Sequence, residues 1–179
     1  MAVLKSYEIV TDAGAAALRV VLTYDQRLLR RKKLEATDGT VFLVDLPRTV
    51  SVAAGAGFGL EDGRVVAVEA AREALVSVTG ENPLRYAWHI GNRHTPCQIE
   101  ADRLLIQRDP VLEAMLAQLG AVVTPVEEPF TPERGAYGHG RTMGHDHGHS
   151  AHDHAHSHDH SHAHSHSHDH DHNHTHSHD

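Results

Sequence analysis

The chain has 179 residues with 16 basic and 24 acidic side chains, a formal net charge of −8, of which residues 139–179 carry −5. That mildly acidic balance gives no electrostatic ground for nucleic-acid binding, and a single cysteine, Cys97, excludes an intrachain disulfide. The first eight residues lack a signal-peptide pattern, and the early apolar run at 13–22 is broken by Arg19 and too short to span a bilayer, so a cytoplasmic protein with no membrane partner is expected.

Residues 1–72 read as a small all-β domain. Leu18, Val20 and Leu22 alternate with Arg19, Val21 and Thr23. Segments 34–36 and 40–44 meet across Asp38-Gly39, and segments 58–60 and 64–68 meet across Asp62-Gly63. Both Asp-Gly pairs signal two-residue hairpin turns. Pro47 is expected to end the strand begun at Thr40, because proline removes a ladder donor. Gly55, Gly57 and Gly59 suggest a phosphate loop, but the residues that follow are a turn and a strand, and no Gly-Lys-Ser/Thr is present. A glycine-rich loop between strands is the better reading. Arg27, Arg30, Arg31, Lys32 and Lys33 read as a solvated strand face, because no aromatics are interleaved with them.

Residues 73–137 change pattern. A strand at 74–79 leads to Asn82-Pro83, a helix start with Asn82 as N-cap. Leu84, Ala87, Trp88 and Gly91 fall at helical spacing and are expected to form the buried stripe. Pro96 closes the segment. Short strands at 97–100 and 103–107 flank Ala101-Asp102. Asp109-Pro110 starts a second helix with Leu112, Met115, Leu116 and Leu119 on its core face, ended by Gly120. A last strand at 121–126 completes β-α-β-β-α-β, the order of a ferredoxin-like domain. Pro125, Pro129, Pro132 and Gly135 mark the exit from it. The fold class expected is therefore α+β: a small all-β domain, a ferredoxin-like domain, and a tail.

The tail, residues 138–179, is the most unusual stretch. From His139 onward, 18 of 41 residues are histidine, and every even-numbered position from His152 to His178 is one. The spacers are small or acidic, so the segment has no apolar core with which to offset its ordering entropy and is expected to be disordered. In an extended chain, residues i and i+2 point the same way, which lines one side with imidazoles. Such an array binds Ni, Cu, Zn and Co without fixed geometry, so its selectivity follows the Irving–Williams order. Imidazoles charge near pH ~6.5, and protons compete with metal there. A purification tag would be a short uninterrupted run rather than this long alternating one.

Only His89 and His94 lie outside the tail. Five residues apart, they stand about 140° apart around an ideal helix, so one helix does not present both to one ion. Metal-binding helices prefer i, i+4 spacing. A metal at His94 requires ligands from the tail or from a second copy of the chain across a two-fold axis. The bland alternative is a cap or surface histidine at a helix end.

The stretch His89-Ile90-Gly91-Asn92-Arg93-His94-Thr95-Pro96-Cys97-Gln98 closely resembles the Gly-Asn-Arg-His-x-Pro-x-Gln signature of the UreE family, the urease accessory nickel chaperones. Asp25-Gln26-Arg27-Leu28-Leu29-Arg30, Leu46-Pro47-Arg48, Leu60-Glu61-Asp62-Gly63, Glu73-Ala74-Leu75 and the stretch from Val111 to Gly120 fit as well, and a histidine-rich tail is common in the family. The resemblance covers residues 1–130. It implies an N-terminal domain similar to a chaperone peptide-binding domain and a ferredoxin-like metal domain that forms a homodimer. It makes His94 the nickel ligand at the dimer interface and His89 a recurrent family histidine. In the tail, His174, His176 and His178 are further candidate ligands. Thr49 departs from the family's Leu-Pro-Arg-Gly. Gln107-Arg108-Asp109-Pro110 stands where some members carry extra histidines, so a peripheral site of that kind is not expected here.

The function so implied is delivery of Ni(II), as cargo, during urease active-site assembly, with Zn(II) or Cu(II) as competing ions. The partners implied are the urease apoprotein and other accessory proteins, including the GTPase. The alternative is general metal storage or detoxification through the tail. An enzyme is not expected: Cys97 lies three residues after His94, but no orienting residue or oxyanion loop accompanies it, and it occupies an apolar strand position.

Overall fold

The computed structural model describes residues 3–134. The tail histidines, including His174, His176 and His178, lie outside the described residues. No helix among the described residues is long and apolar enough to cross a membrane.

The first six strands are β1 (Leu4–Val10), β2 (Leu18–Leu22), β3 (Leu28–Glu35), β4 (Val41–Ser51), β5 (Gly57–Leu60) and β6 (Val65–Ala70). They form one sheet in the order β2-β6-β5-β1-β4-β3. Both Asp-Gly turns form where expected, with Gly39 and Gly63 at φ 85° and 86°. The alternation in β4 puts Phe42, Val44 and Leu46 inward, where they join Val20, Leu22, Phe58, Val66 and Val68. The rings of Phe42 and Phe58 pack at a centroid distance of 5.9 Å. Burying each contributes about 1.5–3 kcal/mol.

Three expectations for this region need correction. Pro47 does not end its strand; β4 continues to Ser51. The β3–β4 register jumps from Leu29 opposite Val50 to Arg31 opposite Asp45, so residues 46–49 face no register partner on β3. A missing N–H costs no ladder bond inside such an irregularity. Gly57 and Gly59 lie within β5 rather than in a loop. At Gly57 a Cβ would stand 2.6 Å from the Ala13 Cβ and 2.7 Å from the Val66 carbonyl oxygen, so close packing explains that glycine without a phosphate. Arg30, Arg31, Lys32 and Lys33 are exposed as expected, but Arg27 is buried.

The remaining elements are β7 (Arg72–Thr79), α1 (Pro83–Asn92), β8 (Cys97–Ile99), β9 (Leu104–Gln107), α2 (Pro110–Gln118) and β10 (Val122–Pro129). Their strands form a second, fully antiparallel sheet in the order β10-β7-β9-β8. Asp109 caps α2 as its sequence suggested, its Oδ1 accepting from the Val111 and Leu112 amides at 2.9 and 3.0 Å. Pro125 and Pro129 do not mark the exit from the domain but belong to β10, an edge strand, which tolerates residues without a donor.

The buried stripe of α1 also needs correction. Tyr86 and Ile90 are buried against Val76, Val78, Leu104, Ile106, Leu112 and Leu116. Ala87 packs at the edge of that core, while Leu84 and Trp88 are 86% and 61% exposed. Both sets have the i, i+4 spacing of one helical face, so periodicity alone does not choose between them. Gly80 helps Tyr86 inward: a Cβ there would lie 2.8 Å from the tyrosine hydroxyl.

β7 is apolar on both sides. Val76 and Val78 face the helices, whereas Leu75 joins Leu105, Phe130 and the ring of Tyr24 on the other side. Tyr24 therefore links the two sheets. Its amide donates to Glu73 Oε1 at 2.7 Å, and its ring meets Phe130 edge-on at 5.4 Å. Arg27 completes the joint. Its guanidinium lies 5.5 Å over the Tyr24 ring and donates to the Phe130 carbonyl. Burial pulls the Arg27 pKa down, and Glu73 opposes that shift. Phe130→Ala is expected to cost about 3–5 kcal/mol, measured as a lower urea midpoint, because the ring is fully buried between the sheets.

Candidate metal centre

The signature segment begins in the last turn of α1. His89 is half-buried there, its ring edge-on to Trp88 with centroids 4.9 Å apart. A cationic side chain in this turn interacts favourably with the helix dipole, so this position suits a histidine without any metal.

His94 is different. It is exposed and has φ 56°, the only positive φ at a non-glycine among the described residues. The hydrogen bonds explain why. The His94 amide donates to the Gly91 carbonyl at 2.9 Å, and the Thr95 amide donates to the Ile90 carbonyl at 3.4 Å. With Arg93 as C-cap, these are the two bonds of a Schellman motif, and His94 holds the left-handed position that glycine normally fills. That conformation costs an L-residue about 1–2 kcal/mol. Local strain of this kind concentrates at functional positions.

Pro96 then turns the chain into β8. Cys97 is partly buried, and burial together with nearby Glu133 pushes its thiol up to about 11. It is therefore protonated at neutral pH and not poised as a nucleophile. Gln98, the last residue of the signature, is fully engaged. Its Oε1 accepts from the Thr131 amide at 2.7 Å and from Thr131 Oγ1 at 3.2 Å, while its Nε2 donates to Glu100 at 2.6 Å. Glu100 pairs with Arg103 at 2.6 Å, and Arg103 forms a two-pronged contact with Glu128. Glu128 and Glu100 hold the Arg103 pKa above its ordinary value.

Among the described residues, no group of three His, Cys, Asp or Glu side chains stands ready to hold a metal ion. The structure puts His89 and His94 on one connected segment, and among the described residues no third His, Cys, Asp or Glu side chain groups with them. Sequence reading missed three features: the left-handed state of His94, the Gln98–Thr131 contact, and the burial of Arg27. The first had a local signal, a residue just past a helix end and two before a proline. The other two depend on residues 33 and 103 positions away along the chain and had none.

The strained position yields a direct expectation. His94→Gly should fold at least as stably as the parent, by up to about 1 kcal/mol, since glycine accepts this φ without strain. His94→Val should lose about 1–3 kcal/mol. Urea midpoints of the two variants provide the check.

Comparisons with known proteins agree with the signature. Residues 4–71 match the family described as UreE urease accessory protein, N-terminal domain, and residues 73–178 match its C-terminal domain. The urease accessory protein UreE of Cereibacter sphaeroides is 63% identical over 133 residues, covering 74% of this chain and 72% of the relative. That of Ruegeria pomeroyi is 61% identical over 127 residues, covering 71% and 85%. That of Paracoccus denitrificans is 60% identical over 130 residues, covering 72% and 82%. With both domains matched and relatives of this similarity, the chain belongs to the UreE family of urease accessory proteins.

Proposed function

We propose that the chain is a nickel metallochaperone that hands Ni(II) to the urease apoprotein during assembly of its active site. It works as a cytoplasmic homodimer alongside other urease accessory proteins, including the GTPase, and is not itself an enzyme. Residues 1–72 form the all-β domain, residues 73–137 the metal-binding and dimerising domain, and residues 138–179 the metal-collecting tail. The second domain has the ferredoxin-like arrangement, a reading supported by its β-α-β-β-α-β element order and its strand order.

The observation that carries this reading is the pairing of His94 with an apolar helix face. Leu84, Trp88 and Gly91 lie at i, i+4 and i+7 on α1, and Leu84 and Trp88 are largely exposed. The stripe runs along the helix toward the end that carries His94. An exposed apolar face of this kind marks an interaction site. A second copy packed there on a two-fold axis is self-complementary, and the two His94 imidazoles share one ion. His89, in the last turn of the same helix, stands near enough in sequence to support that site.

Release is as necessary to a chaperone as capture. An ion held between exposed side chains keeps open positions for an acceptor's ligands, unlike a closed structural site. The tail, with His174, His176 and His178 near its end, collects ions at high capacity and low selectivity, Zn(II) and Cu(II) included. Storage through the tail alone is the weaker reading, because it leaves the signature around His94 without a role.

Two experiments test this proposal. Nickel titrated calorimetrically into the chain truncated after Arg134 should fill one tight site per dimer, and His94→Gly should remove it. Retention of that site in the variant would sink the assignment. Trp88→Glu should shift sedimentation from dimer to monomer and weaken nickel binding at least tenfold, since each imidazole then loses its partner. Storage alone instead predicts that truncation removes all nickel handling and urease activation together.

A further inference from the structure

β3 ends its sheet and, among the described residues, pairs with β4 alone. The Ala36 amide donates to the Thr40 carbonyl at 2.9 Å, which sets the alternation of this antiparallel ladder. Lys32 and Leu34 therefore turn their N–H and C=O groups toward β4, while Arg31, Lys33 and Glu35 turn theirs outward. Past the end of β3 the edge is closed, because the Thr37 amide donates to the Arg19 carbonyl of β2 at 2.8 Å. The open stretch is residues 31–35.

Positive charge is concentrated on that stretch. A strand lying on a core alternates buried and exposed residues, yet Arg30, Arg31, Lys32 and Lys33 are all exposed. The register gap at residues 46–49 lies beside them, and Arg48 within it is exposed as well. On the outward face Lys33, Leu43 and Lys5 stand in register across β3, β4 and β1, which carries the positive face inward from the edge. Arg31 reaches Asp45 only at 3.9 Å. Lys5, Arg30, Lys32, Lys33 and Arg48 take part in no ion pair among the described residues. Other cations of this sheet region are engaged, Arg19 with Glu69 and Arg64 with Asp62. Residues 1–72 carry a net +1 against −9 for residues 73–179, so the basic stretch stands out on an acidic molecule.

We propose that the β3 edge is a docking strand for an acidic, extended segment of a partner protein. Two features select that occupant. Outward N–H and C=O groups pair with a polypeptide backbone, which a nucleic acid lacks. The cations beside them favour Asp and Glu on the added strand, and no aromatic side chain is interleaved with them to stack on bases. The same charges keep a second copy of β3 away, since edge-to-edge pairing would set cation against cation. The surface lies in the all-β domain and uses neither His94 nor α1, so it stands or falls apart from the nickel assignment.

The test uses the full, metal-free chain at pH 8, where the tail imidazoles are neutral and add no competing positive charge. The probe is a fluorescein-labelled peptide of alternating glutamate and threonine, read by polarisation. It is compared with the same peptide N-methylated at alternate amides and with a single-stranded DNA oligonucleotide of equal charge. The glutamate peptide should bind, and added salt should weaken it. N-methylation and the double substitution Lys32→Glu/Lys33→Glu should each weaken it at least tenfold. Lys33→Gln serves where the double variant fails to fold, and should weaken binding about threefold. Equal binding of the oligonucleotide, or N-methylation without effect, would mean a general polyanion surface rather than a strand edge. No binding of the peptide, or binding that the substitutions leave unchanged, would mean that the charges only protect the edge. Any of these results overturns the proposal.

Discussion

Ile90 ties the loop that carries His94 to the core. Its side chain is fully buried among Val76, Val78, Tyr86 and Leu104, and its carbonyl accepts from both Arg93 and Thr95. The first fact fixes where α1 sits on its sheet. The second fixes how α1 ends. Because the cap closes on the carbonyl of a core residue, the left-handed turn at His94 inherits the rigidity of the core rather than the looseness of a loop. A histidine on a flexible connection would pay side-chain and backbone entropy on binding an ion. For the ion proposed at His94, much of the backbone part is met during folding, through conformational strain that the cap sustains.

The same economy governs the joint between the sheets. Arg27 is the one buried charged side chain among the described residues, and its Nε has no hydrogen-bond partner among them. Its charge is tolerated because Glu73, the Tyr24 ring and the Phe130 carbonyl surround it. Hydrophobic contacts of Tyr24 and Phe130 supply the gain, and the guanidinium supplies direction. A purely apolar joint would tolerate sliding. A charged group that must meet one carbonyl fixes one register between the domains, although a buried pair of this kind adds little net stability. Glu73 also accepts from Gln107, so the joint reaches the end of β9.

Local chemistry was legible in the sequence, and long-range pairing was not. The two Asp-Gly turns, the Asp109 cap and the glycine ending α2 all act through residues a few positions apart, and each formed as read. Pro47, Pro125 and Arg27 were misread for one common reason. Whether a missing N–H or a charge is tolerated depends on what lies opposite, and the opposite residue is distant in the chain. β1 had no local signal to single it out; its place in the middle of the sheet comes from pairing in parallel with β4 and antiparallel with β5. The α1 faces show the limit most clearly. Leu84 with Trp88 and Tyr86 with Ile90 satisfy the same periodicity. The choice falls to Gly80, which leaves room for the tyrosine ring, and to the apolar sheet face beneath it.

That choice also explains why the helix remains apolar on the side turned away from the core. A helix that served only to cover its sheet would place charge at positions 84 and 88, where exposure of Leu and Trp gains nothing and invites association. The two residues persist in a chain whose net charge otherwise favours solubility. The strain at His94 follows the same logic, since glycine would serve the cap at lower cost. Two departures from the stable choice, one in backbone conformation and one in surface composition, lie on the same short helix and its cap. Either alone has a bland explanation. Together they fit the proposed packing of this helix end against a second copy.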